Sequence, residues 1–246
     1  MRLIRTFVDT ALAAGTDIEL PPGPAAHLTR VLRLRTGDAV VVFNGRGGEY
    51  EAQISAIARR GVRLHVGAHR ALERESALRV TLMQAVARGE RMDLVIQKAT
   101  ELGVATILPV ASDHSVVQLD AQSSERRTAH WLAVAVSACE QCGRNRLPHI
   151  EPITPLQAAC EAAAGLRLLL DPDAATSLAA ALATVVTATA VSLLIGPEGG
   201  FSGYERSLAE RAGFLSCRLG PRILRTETAA FAAVATVQAL AGDLRH

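Results

Sequence analysis

The sequence predicts a two-part α/β chain: a small β-barrel, then a parallel sheet covered by helices on both faces. Three observations carry this. Residues 38–67 alternate apolar and polar side chains around the turn signal Asn44-Gly45, the pattern of a half-buried meander with hairpins. From Leu78 onward short apolar runs alternate with helical stretches, which is how a parallel sheet buried on both sides reads. Finally, two loops, Gly196-Pro197-Glu198-Gly199-Gly200-Phe201 and the stretch from Leu219 to Ala229, stand where apolar runs end and helices begin. Ligands of open α/β sheets bind at such carboxyl ends of strands.

In chain order, 24–34 reads as a short helix that exposes His27, Arg30 and Arg33 and buries Leu28, Val31 and Leu32. Strands follow at 39–43, 50–57 and 62–66, and the charged stretch 70–77 is the natural linker, giving expected domains 1–70 and 77–246. In the second, strands at 78–84, 106–110, 166–170, 191–195 and 215–219 alternate with helices at 90–102, 124–142 and 154–164. The 90–102 helix buries Met92, Val95, Ile96, Ala99 and Leu102 and stops at Gly103. Thr154-Pro155 reads as a helix start, and Ser202-Gly203-Tyr204-Glu205 as a capping box opening a helix to Ala212. Helix 227–241 carries Ala, Val, Phe and Leu on almost every side, so it is expected to be buried all round.

With 246 residues the chain is long enough for two domains. Hydrophobic residues make up 49% and charged residues 20%, a globular balance without the roughly 20 unbroken apolar residues of a membrane span. The opening Met-Arg-Leu-Ile-Arg has no apolar signal core, and the four cysteines are irregularly spaced; the expectation is a reducing cytoplasm and no membrane. Net charge is +2, but residues 1–79 hold 12 Arg against 8 acidic residues, so the excess lies in the first part. Lys98 is the sole lysine, and an arginine-dominated cation set suits bidentate phosphate contact and base stacking.

Gly196, Gly199 and Gly200 would let a backbone approach a ligand where a Cβ would clash or forbid the needed φ. No Gly-Lys-Ser/Thr follows, and Gly-x-Gly-x-x-Gly is absent, so neither a P-loop nor a dinucleotide fingerprint is present. The second loop keeps the order Leu219-Gly220, Arg222-Ile223-Leu224-Arg225, Thr226-Glu227-Thr228-Ala229. Thr226 is expected to cap the following helix and Glu227 to suit its dipole, whereas Arg225 is misplaced at a helix start and is better assigned to a ligand, phosphate or base. Cys139-x-x-Cys142 lacks a second pair at zinc spacing, and Cys160 and Cys217 stand alone in apolar runs, so the thiols read as buried packing groups and no metal is expected. His27, His114 and His149 share no ligand spacing.

Together these two loops, with Arg5-Thr6-Phe7, the run from His27 to Arg33, the run from Lys98 to Val104 and Glu140-Gln141-Cys142-Gly143-Arg144, make the chain resemble the SPOUT superfamily of S-adenosylmethionine methyltransferases. Within it the chain is similar to the RsmE family of 16S ribosomal RNA uridine N3-methyltransferases. The resemblance implies a PUA-like RNA-binding barrel, a SPOUT sheet whose C-terminal segment forms a trefoil knot, and a homodimer. It also implies methylation of the uridine at 16S position 1498, with RNA in the 30S subunit as the expected substrate and free 16S RNA as the alternative. The implied cofactor residues are Leu170 and Asp171 at one strand end, Gly196, Glu198, Gly199 and Gly200 at the next, and Leu219, Gly220, Ile223, Leu224, Thr228 and Ala229 at the third. Arg5, His27, Arg30, Arg33 and Lys98 are the implied RNA contacts.

Uracil N3 is a poor nucleophile until its proton leaves. An arginine on a uracil carbonyl would stabilise the resulting anion as an oxyanion donor does. Arg225 is the first candidate and Arg144 the second; Glu140, Glu198 and Glu227 could each accept the proton, with Glu140 placed among the catalytic set. The rival activities are a ribose 2′-O-methyltransferase on the same scaffold and a non-catalytic RNA-binding factor.

Overall fold

The computed structural model describes residues 4–59, 61–115, 121–183 and 189–245, the side chain of Ala121 excepted; the first three residues of the opening segment lie outside this set. The chain divides into two units, 1–75 together with 139–147, and 76–138 together with 148–246. Residues 139–147 thus group with the first unit rather than with the stretch 77–246.

The first unit holds β1 (Arg5–Phe7), β2 (Asp17–Glu19), α1 (Pro22–Ala26), β3 (Ala39–Phe43), β4 (Glu49–Ala58) and β5 (Gly61–Arg70), ordered β1-β3-β4-β5-β2 in one sheet. Alternation places Ala52 and Ile54 of β4 and Val62, Leu64 and Val66 of β5 inward, so one face forms a core with Val8, Leu20, Leu28, Val40 and Val42. β1 runs parallel to β3 and the other pairs are antiparallel. The path ends at β1 and β2, which do not pair with each other among the described residues. The free edge of β1 is satisfied by a side chain: Phe7 N–H donates to Glu140 Oε1 at 2.9 Å.

The helix expected over 24–34 is corrected. After α1 the backbone opens into a π-helical turn, His27–Val31, with Leu32 N–H donating to His27 O at 3.0 Å. This wider i→i+5 spacing changes the phase of the apolar residues. Leu28 is fully buried, while Val31 and Leu32, expected inside, are 66% and 37% exposed.

The second unit contains β6 (Arg79–Ala85), α2 (Arg91–Glu101), β7 (Thr106–Ala111), α3 (Ala121–Cys142, its last turn counted in the first unit), β8 (His149–Ile150), β9 (Thr154–Pro155), α4 (Leu156–Ala162), β10 (Leu166–Leu170), α5 (Leu178–Ala183), β11 (Ala190–Ile195), α6 (Gly203–Arg211), β12 (Leu215–Cys217) and α7 (Thr226–Ala241). The sheet runs β12-β10-β11-β6-β7-β8, with β9 beside β7, and every pairing is parallel. Successive residues face opposite cores. Leu82, Leu168 and Leu193 meet α2, α5 and α7 on one side, and Met83, Leu169 and Leu194 meet α4 and α6 on the other. Burial on both faces explains why these strands read as unbroken apolar runs.

Of three local expectations, one holds and two change. The capping box is present, with Ser202 accepting from Glu205 N–H and Ser202 N–H donating to Glu205. By contrast Thr154 and Pro155 form β9 and the helix starts at Leu156; Thr154 Oγ1 donates to Pro152 O at 2.9 Å instead of capping. Nor is α7 buried all round: Ala230, Ala233, Val234 and Val237 are inside, while Thr228, Ala239 and Leu240 are exposed.

Candidate active site

At the carboxyl ends of β10, β11 and β12 lies a cavity of about 680 Å³, lined by 169–173, 195–201, Leu219, Gly220, 222–227 and Ala229, with Arg91 and Arg206 at its sides. Adjacent strands explain the convergence. Since β10 lies between β11 and β12, the loops leaving all three open on the same space. The cavity wall includes Leu170, Asp171, Gly196, Glu198, Gly199, Gly200, Leu219, Gly220, Ile223, Leu224 and Ala229, together with Arg225 and Glu227; of the expected cofactor set only Thr228 is outside it.

Backbone conformation shapes the first loop. Gly200 has φ +69°, in the left-handed region that glycine enters without strain, and its N–H closes a turn on Pro197 O at 2.9 Å. Its carbonyl is 3.0 Å from His114 Nδ1. A Cβ on Gly199 would lie 3.2 Å from His114 Cβ, so glycine there is a matter of space.

Thr226 does not act as the expected cap. Arg225 occupies the N-cap position without a side-chain cap bond, and Thr226 Oγ1 donates to Gly196 O at 2.6 Å while accepting from Gln84 Nε2 at 2.9 Å. The hydroxyl therefore ties the start of α7 to the glycine loop, and Gln84, fully buried near the end of β6, holds the hydroxyl. Gln84 was missed from sequence. The available signal was a long polar side chain within the apolar run Val80-Thr81-Leu82-Met83-Gln84-Ala85.

The acidic residues differ in their partners. Asp171 accepts from Asp173 N–H at 2.9 Å and faces Arg206 Nη1 at 3.4 Å. Glu198 pairs with Arg91 and accepts from Arg88 N–H. Partial burial pushes its carboxyl up, but hydrogen bonds from its own and Arg88's backbone and the Arg91 guanidinium outweigh that and hold it below the usual carboxylate range. It is a committed anion rather than a free proton acceptor. Glu227 is 9% exposed, and its Oε2 is buried without a hydrogen-bond partner. Arg225 is exposed; its carbonyl accepts from Ala229 N–H at 2.8 Å, and its side chain makes no hydrogen bond or ion pair among the described residues.

Arg144 and Glu140 are not among the residues that line the cavity; both lie in the first unit. Arg144 is 4% exposed and forms a two-point ion pair with Glu75, Nε to Oε1 at 3.1 Å and Nη2 to Oε2 at 2.6 Å. Burial pushes the Glu140 carboxyl up, against the hydrogen bond from Phe7 N–H and the field of His27. Both residues thus have partners within the first unit, and neither borders the cavity. Arg144→Ala strips a buried charge pair, and because Glu75 retains some exposure the loss belongs at the low end of the usual range, about 3 kcal/mol. Urea unfolding of the first unit checks this, and an unchanged midpoint would leave the structural role without support.

Two expected RNA contacts are also occupied. Arg5 pairs with Glu49, donates to Asn145 Oδ1 at 2.6 Å and lies 4.7 Å over the Phe43 ring, so its guanidinium is largely enclosed within the first unit. Lys98 Nζ is held 2.9 Å from Glu101 on α2. His27, Arg30 and Arg33 are exposed beside Val31 and Leu32, and Arg33 has φ +56°, the only non-glycine residue so placed among the described residues. Cys139, Cys160 and Cys217 are buried free thiols pushed up by burial to about 12, 11 and 12, and such thiols are unreactive. Among the described residues no helix is long and apolar enough to cross a membrane, and no cluster of His, Cys, Asp or Glu could hold a metal ion.

A five-stranded sheet unit joined to a parallel sheet with a strand-end cavity defines a class, and family models agree: residues 74–238 match the RNA methyltransferase domain and residues 25–66 the RNA methyltransferase PUA domain. A Buchnera aphidicola protein named ribosomal RNA small subunit methyltransferase E is 31% identical over 99% of this chain and 98% of its own length. The enzyme of the same name from Neisseria gonorrhoeae, solved bound to S-adenosylmethionine, is 33% identical with a TM-score of 0.89 over 98% of this chain and 99% of that one. A Legionella pneumophila methyltransferase structure, also with S-adenosylmethionine, is 38% identical with a TM-score of 0.93, covering 99% of this chain and 100% of that one. The chain belongs to the ribosomal RNA small subunit methyltransferase E family.

Proposed function

We propose that this chain transfers a methyl group from S-adenosylmethionine to N3 of a uridine in 16S ribosomal RNA, the position numbered 1498. The observation that carries the reading is the convergence of three strand-end loops on one cavity whose wall includes an unpartnered arginine, Arg225. The cavity fits the donor's chemistry: backbone-rich walls at 196–200 and 219–224 for an adenosyl group, and carboxylates at Asp171 and Glu198 for polar and cationic parts. When bound, S-adenosylmethionine supplies an electrophilic methyl. The protein's part is orientation, since displacement at a methyl rewards near-linear alignment, and stabilisation of the uracil anion by Arg225.

The first unit is assigned to RNA through His27, Arg30 and Arg33, with Val31 and Leu32 offering apolar surface to an unstacked base. The domain functions follow the proposed division at 1–70 and 77–246, with residues 139–147 added to the RNA-binding part. The face of α7 left partly open, with Thr228, Ala232, Ala235 and Ala239 at helical spacing, supports a homodimer, and the SPOUT-type knot is assigned to the segment leading into this helix. The site of action is the cytoplasm, on RNA within the 30S subunit.

Mass spectrometry of 16S nucleosides from a strain lacking the gene tests the reaction. Loss of N3-methyluridine that returns with the gene is the expected result. Retention of N3-methyluridine with loss of a 2′-O-methylated nucleoside would assign the chain to ribose methylation instead.

A further inference from the structure

The structure assigns the N3 proton to Glu227; this rests on the reaction proposed above. The case is an elimination among the carboxylates that border the cavity, followed by a positive observation. Glu198 is held ionised by Arg91 and Arg88 N–H. Asp171 is engaged by Arg206 and Asp173 N–H. Asp173 is exposed, where solvent satisfies it. Glu227 alone combines a place in the cavity wall with near-complete burial, no ion pair among the described residues, and an oxygen, Oε2, that has neither solvent nor a donor. Such an oxygen forfeits its hydration without compensation. That acceptor is short of one donor, such as the N3–H of a uracil, and rotation about the last side-chain bond exchanges the two oxygens between the inner and outer positions.

Its neighbours in sequence complete the arrangement. Thr226 is fixed by Gly196 O and Gln84, so the first turn of α7 is anchored to the loop that walls the cavity, with Arg225 just before the anchor and Glu227 just after it. Arg225 and Glu227 both border the cavity, so a uracil held at Arg225 is brought to the wall that carries Glu227. In the step, the N3–H proton passes to a Glu227 oxygen and the N3 electron pair forms the new bond to the methyl carbon. The carbon–sulfur bond breaks with its pair remaining on sulfur as a neutral thioether. The protonated Glu227 then returns its proton to water as product leaves.

The test is Glu227→Gln, which keeps shape but cannot accept a proton as a carboxylate does. Calorimetric titrations with S-adenosylmethionine and with target RNA are expected to stay within about threefold of wild type, because the role is in proton transfer. The single-turnover rate at neutral pH should fall on the order of a hundredfold or more, the usual worth of a positioned base, and should rise with pH as N3 ionises in solution. RNA with 5-fluorouridine at the target, whose N3–H is more acidic, should recover part of the loss. Glu227→Asp should keep part of the rate and the wild-type pH profile. A wild-type single-turnover rate in Glu227→Gln would overturn the assignment, as would a loss confined to cofactor affinity with a normal rate at saturation. Wild-type enzyme run in parallel separates this from failure of the parent reading: if its product is not N3-methyluridine, the reaction itself is wrong.

Discussion

Arg225→Ala is expected to bind S-adenosylmethionine as the wild type does and to lower the single-turnover methylation rate on the order of a hundredfold or more, as loss of an oxyanion donor does. Its position makes the case. Arg225 is the N-cap residue of α7, with φ −64° and ψ 154°, and makes no side-chain cap. A cation at a helix N-terminus is opposed by the dipole, and here no carboxylate among the described residues offsets it. Arg144, by contrast, has a carboxylate partner in Glu75. Lysine at 225 should rescue little, because a point charge lacks the fork that spans a carbonyl and its neighbour. Rapid-quench assays at saturating RNA and cofactor check this, and a near-normal rate would remove Arg225 from the chemistry.

Gly199→Val should weaken S-adenosylmethionine binding about tenfold or more while the second unit stays folded. A Cβ there meets His114 Cβ at 3.2 Å and Cγ at 3.4 Å, and branching at that carbon adds bulk on both sides. His114 cannot yield freely, because its Nδ1 is engaged with Gly200 O. The strain of overpacking, commonly about 1–3 kcal/mol, then falls on the loop that walls the cavity. Every 1.4 kcal/mol taken from binding is about tenfold in affinity. Calorimetry alongside a thermal melt separates the two effects; wild-type affinity in a folded variant would exclude this loop from the cofactor site.

Much of the cavity was legible in the sequence because its parts are local. Strand ends are marked by apolar runs giving way to Gly and Pro, and the parallel sheet shows itself through strands too apolar to have a solvent face. What escaped was set by partners remote in the chain. The role of Thr226 depends on Gln84, 142 residues earlier, so a threonine before a helix read as a cap. Arg5 and Arg144 look like free cations until Glu49 and Glu75 are brought to them. β1 and β2 are three residues each, too short for periodicity to register. The π-helical turn at His27 changes phase without changing composition, which is why Val31 and Leu32 were assigned to the wrong side.

Asn145 is wholly buried, receiving Arg5 on its carbonyl and giving its amide to Leu72 O at 2.6 Å; it stands with Glu140 and Arg144 in a segment that joins the first unit from more than sixty residues downstream. Synthesis runs in one direction, so the opening 75 residues leave the ribosome well before the segment that completes them. In that interval the Glu75 carboxylate lacks Arg144, the β1 edge lacks Glu140, and the strand edge is open to unintended pairing. The N-terminal part of this protein therefore matures late: its last pieces are delivered by the chain that also begins the neighbouring sheet, and the two units must be finished in an interleaved order rather than one after the other.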